Sequence, residues 1–167
     1  MMEFKMYQVD AFASKLFSGN PAAVVIVESP LSEDLMQSIA LENNLSETAF
    51  ISINESPIPI RWFTPTLEVN LCGHATMASA KILFEYFPNI SGNEISFNSK
   101  SGILNVTKNA EDICLNFPAD DPEPQEMDAL FVEALGESPI EILRGTDDFL
   151  AVFETEQQIQ TMNPDFT

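Results

Sequence analysis

The chain has 167 residues, 45% of them apolar, which suffices for one domain or one domain and part of another and argues against wholesale disorder. A formal net charge of −19 argues against nucleic acid and anionic membrane as partners, because both need clustered Lys and Arg. No apolar run reaches the roughly 18 residues of a bilayer span, the opening "MMEFKMYQVDAF" lacks the marks of a signal peptide, and Cys72 and Cys114 read as free thiols of a reducing cytoplasm.

In chain order, "EFKMYQVDAF" alternates as a strand does, and "SGNP" (Ser18 to Pro21) is a turn. The continuous apolar run "AAVVIV" suits a buried strand. Ser32 is the N-cap of a predicted helix, with Glu33 and Asp34 in its first turn and Leu35, Met36, Ile39 and Ala40 at helical spacing. "ETAFISI" and "IPIRWFT" are strands separated by "NESP". A helix is predicted from His74 to Phe87, stopped by Pro88; "EISFNS", "GILNVTK" and "DICLNF" then form a three-strand meander. The proline-rich, acidic "PADDPEPQ" reads as a linker. Beyond it come a helix (Met127 to Leu135), two short strands ("IEILR", "FLAVFE") and a last helix (Glu156 to Met162), too few elements to bury a full core. Charge marks the same division: residues 1–110 hold 6 Lys+Arg against 11 Asp+Glu, residues 111–167 hold 1 against 15.

The His74 helix would be about 21 Å long at 1.5 Å per residue. It is apolar on almost every side, with only Lys81 and Glu85 as a wet stripe, so it belongs inside a domain, wrapped by sheet. The start of a buried helix carries orphan N–H groups and partial positive charge. Gly73 permits an unusual backbone angle and close approach, so the N–H groups near Gly73, His74 and Ala75 suit a carboxylate. A turn glycine followed by a capping histidine explains the same residues equally well. One histidine and two distant cysteines do not supply a metal's ligands. Nor do Cys72 and His74 read as a nucleophile pair, since neighbours at a helix start are expected to point apart. Glu47 lies between a helix and a strand among Leu45, Ala49 and Phe50. A carboxylate in an apolar pocket titrates nearer neutrality, as a general acid/base must, but with 26 acidic residues in the chain its surroundings alone do not single it out.

"YQVDAF", "FSGNPAAVV", "NLSETAF" and "RWFTPTLEVNLCGHAT", followed by the buried helix, occur in the order and at the spacings of the phenazine-biosynthesis PhzF-like proteins, which this chain resembles from Tyr7 to Phe117 and more loosely beyond. The resemblance implies an α+β chain of diaminopimelate-epimerase-like fold: a curved, mostly antiparallel sheet wrapped around a central helix (residues 1–117), then a linker and an incomplete second copy (118–167). It implies an isomerase without metal or organic cofactor, with the site in a cleft between two domains. The family's catalytic glutamate looks like Glu47, which would carry a proton between carbons of a small carboxylate metabolite such as a dihydro-hydroxyanthranilate. Gly73, His74 and Ala75 are similar to its substrate-contacting turn, and Asn20 lies near the same cleft. In the related amino-acid epimerases a cysteine placed like Cys72 is the base, which keeps Cys72 as an alternative, beside a non-catalytic binding or assembly module. The family's late Gly-rich motif has no counterpart here, so the chain reads as truncated within the second domain, completed by a complementing second-domain chain or pairing as a homodimer.

Overall fold

The structure, a computed structural model, describes residues 3–110 and 112–164. The chain forms two compact units, Met1–Phe117 and Pro118–Thr167.

In the first unit the strands are β1 (Lys5–Ala11), β2 (Asn20–Val27), β3 (Glu47–Ser52), β4 (Ile58–Phe63), β5 (Glu68–Val69), β6 (Glu94–Ser99), β7 (Gly102–Lys108) and β8 (Ile113–Asn116). The helices are α1 (Glu33–Asn43), α2 (Gly73–Tyr86) and the short α3 (Pro88–Ser91). They make one sheet in the order β1-β2-β3-β4-β6-β7-β8, with β5 paired to β4. Two pairs are parallel, β2 with β3 across α1 and β4 with β6 across α2; the others are antiparallel.

The run that forms β2 is continuously apolar because both faces of the strand are covered. Ala22, Val24 and Ile26 face the cluster built on α2, with Ala49 and Ile51 of β3, Ile60 and Trp62 of β4, and Phe97, Leu104 and Val106. Val25 and Val27 face the opposite cluster, with Met36 and Ala40 of α1, Phe50 and Phe63. The two-residue period of a strand therefore sorts each side chain to one helix or the other. On α2, residues Ala75, Thr76, Ala78, Ser79, Ala80, Ile82, Leu83 and Phe84 are buried. Its hydroxyls are satisfied within the helix: Thr76 Oγ1 donates to Cys72 O at 2.5 Å and Ser79 Oγ to Ala75 O at 2.7 Å. The exposed stripe is closed by the Lys81–Glu85 pair at 2.5 Å. The enclosed helix and the β6–β8 meander agree with the sequence; β5 and α3 were not anticipated.

The second unit has β9 (Glu123–Gln125), α4 (Ala129–Leu135), β10 (Glu141–Arg144), β11 (Phe149–Val152) and α5 (Glu156–Thr161), with the sheet order β11-β10-β9. The linker reading of "PADDPEPQ" is corrected in part. Glu123–Gln125 pairs antiparallel with β10, and Asp120 accepts from Thr146 N and Thr146 Oγ1, each at 2.9 Å. Proline is tolerated there because β9 is an edge strand. Ile142 is buried, whereas α4 and α5 have no buried residue. Among the described residues no helix is long and apolar enough to cross a membrane.

Candidate active site

Three segments of the first unit converge at the start of α2. The first is the turn into β2. Gly19 has φ +92°, and a Cβ there would run into the carbonyl oxygen of Ala11, so glycine is required on both counts. This turn sets the position of Asn20.

The second segment is the end of α1. Asn44 caps it in the left-handed region (φ 51°), with its N–H on Ala40 O. The chain then enters β3 in parallel register with β2, placing Glu47 beside Ala22. Alternation gives Glu47 the same face as Ala49 and Ile51, the face that packs on α2. Its side chain is 20% exposed.

The third segment is the approach to α2. Arg61 of β4 grips Glu68 with a two-point fork, Nε to Oε1 and Nη2 to Oε2, both at 2.6 Å. Arg61 also reaches Glu33 at 2.8 Å, and Lys100 closes on Glu68. The Glu68 side chain is 8% exposed, and the Arg61 guanidinium holds its carboxyl below the usual carboxylate range. This cluster fixes the segment leading to Cys72 and α2. Its bonded pairs are separated by 7 to 32 residues in sequence, which is why no local pattern announces it.

At the convergence, His74 Nε2 lies 3.2 Å from Glu47 Oε2. Oε2 is buried and makes no hydrogen bond. Ser46 Oγ is 3.4 Å from His74 Nε2 and 3.1 Å from both Asn20 Oδ1 and Pro21 O. Ser46 thus ties Asn20 to His74, a role that the sequence reading missed; its one signal is a hydroxyl adjacent to Glu47. At the other ring nitrogen, Cys72 Sγ lies 3.4 Å from Nδ1. Burial, the largest cause, pushes the Cys72 thiol up to about 11, with the Glu47 charge adding to it and the backbone N–H of Ala75 opposing.

Three expectations change. Cys72 and His74 do not point apart; their side chains meet. Gly73 is not among the residues of positive φ. What it supplies is space, since a Cβ there would stand 3.3 Å from the Phe117 ring. A ligand count restricted to Cys and His also omitted Glu47: one donor atom from each of Glu47, Cys72 and His74 lies within 4.8 Å of the others. Ala75 is buried in the first turn, with its N–H near the Cys72 sulfur. Asn20, Glu47, Cys72, Gly73, His74 and Ala75 are therefore gathered in one place. Cys114 is exposed on β8.

A family model described as phenazine biosynthesis-like protein (PhzC-PhzF) matches residues 9–167. Two Pseudomonas aeruginosa proteins named as uncharacterized isomerases are each 44% identical over 165 residues, covering 99% of this chain and 63% of their own length. A crystal structure of a PhzF-family phenazine biosynthesis protein from Enterococcus faecalis superposes with a TM-score of 0.86 at 44% identity, over 99% of this chain and 63% of that one. A predicted epimerase from Pseudomonas aeruginosa, 19% identical with a TM-score of 0.70, shares the fold. The first unit's sheet curled around α2 is thus the diaminopimelate-epimerase-like architecture, and the chain spans about 63% of the length of these relatives.

Proposed function

This chain belongs to the phenazine biosynthesis-like protein family, and from that premise we propose that it supplies one wall of a cofactor-independent isomerase site in which Glu47 is the acid/base. The observation that carries this reading is the state of Glu47. Its Oε2 is buried, lacks a hydrogen-bond donor, and lies 3.2 Å from His74 Nε2 at the first turn of the enclosed helix.

The Glu47 carboxylate takes a proton from one carbon of a small unsaturated carboxylate. The C–H electron pair moves into the adjacent π system, and the Glu47 carboxyl, after exchanging its proton with solvent, delivers one to another carbon, so nothing is oxidised or reduced. His74 donates a hydrogen bond to the developing negative charge, with Asn20 beside it. Cys72 is the weaker candidate for the base: it is 7% exposed, and its thiol titrates near 11, far from the thiolate that proton abstraction requires.

The reading is tested in heavy water with a dihydro-hydroxyanthranilate and other small unsaturated carboxylates. The assay uses this chain and a chimera extended with the C-terminal part of one P. aeruginosa relative. Isomerised product carrying deuterium is expected, and Glu47→Gln should lower its rate by about 10²–10⁴-fold, the usual worth of a general acid/base. An undiminished rate in that variant removes Glu47 from the mechanism.

A further inference from the structure

Glu47, Cys72 and His74 have a second chemical capability that proton transfer does not use. A sulfur, an imidazole nitrogen and a carboxylate oxygen are the donor types of protein zinc sites. Cys72 Sγ and His74 Nδ1 are 3.4 Å apart, and the sulfur and nitrogen ligands of a tetrahedral zinc stand about 3.5 Å apart, given bonds of about 2.3 and 2.0–2.1 Å. A cation therefore fits between these two atoms in place of the hydrogen they share. The third donor is nearby and lacks a partner. One donor atom of each residue is within 4.8 Å of the others, and Glu47 Oε2 is buried without a hydrogen bond. Completing a three-ligand set requires the Glu47 carboxylate to swing from His74 Nε2 toward the Nδ1 edge of the ring, where one of its oxygens lies within 4.8 Å of the sulfur. Cys72 is 7% exposed and the His74 side chain 10%, so two donors are enclosed, while Glu47 at 20% leaves an opening for a water as fourth ligand.

We propose that Glu47, Cys72 and His74 bind a thiophilic divalent cation of the zinc class, and that cation and substrate exclude one another at Glu47. Binding forms a metal–sulfur bond and releases the Cys72 thiol proton to solvent, with no change of oxidation state. The backbone N–H groups of His74 and Ala75 near the sulfur favour the thiolate so formed. The exclusion rests on the proposed role of Glu47; the binding does not, and its test reads metal alone.

The test is a titration of the reduced chain with Co2+, then displacement by Zn2+. A thiolate-to-cobalt charge-transfer band that saturates at one equivalent is expected. It should be lost in Cys72→Ser, retained in Cys114→Ala, and weakened at least tenfold in affinity in Glu47→Gln. In the unmodified chain, one equivalent of Zn2+ should shift the imidazole resonances of His74, the single histidine; this readout does not depend on any variant folding. Absence of the band, its persistence in Cys72→Ser, its loss in Cys114→Ala, or unmoved His74 resonances overturns the proposal and leaves the isomerase reading standing.

Discussion

His74 stands between two groups that make unequal demands on its proton. Burial raises the Cys72 thiol to about 11, so at neutral pH the sulfur keeps its hydrogen, and that hydrogen is expected to occupy the 3.4 Å contact with Nδ1. The ring proton is then left on Nε2, the nitrogen that faces Glu47 and Ser46. Nitrogen-detected NMR of the lone histidine should show the Nε2–H tautomer, and Cys72→Ala should remove that bias. An Nδ1–H tautomer in the unmodified chain contradicts the assignment. At this scale the sequence was informative about which residues matter and poor about how they meet. Glu47 is one acid among 26, and its selection came from the "NLSETAF" resemblance rather than from its own surroundings. The Cys72–His74 contact escapes a sequence reading because the two residues stand two positions apart across a helix start, with Cys72 extended and Gly73 the first helical residue.

Between residue and fold, the Arg61–Glu68 fork couples β4 to β5 and to the entry of α2. Hydrogen bonding to Arg61 lowers the folded-state pKa of Glu68 below its ordinary 4.5. The folded chain thus binds fewer protons there than the unfolded one. The stabilisation is present above the ordinary value and is lost as pH falls through the lower folded value. Glu68→Gln should therefore reduce stability at neutral pH and flatten the acid limb of the stability curve, as read by urea unfolding across pH. A parallel loss at every pH contradicts this account. Long elements with a clear period were legible: the Ser32-capped α1, the buried β2 and α2 itself. Those that failed were short or governed by pairing. β5 has two residues, too few to show alternation, and β9 contains Pro124, acceptable only because that strand lies at an edge.

At the scale of the whole molecule, burial divides as the charge does. The first unit encloses α2 within a continuous core, whereas Ile142 is the buried apolar residue of the second among the described residues. Local opening free energy follows buried apolar contact, so amides of α4 and α5 should exchange in deuterium oxide well before those of β2, β3 and α2. Equal protection would contradict that ranking. The central claim is that a carboxylate of the first unit, and not the thiol beside it, moves hydrogen between carbons. The most direct test compares Glu47→Gln with Cys72→Ala in the heavy-water isomerisation assay. The account predicts that the first variant loses product deuteration by about 10²-fold or more while the second retains it within about tenfold. Retention in Glu47→Gln together with loss in Cys72→Ala would assign the proton to sulfur and contradict it.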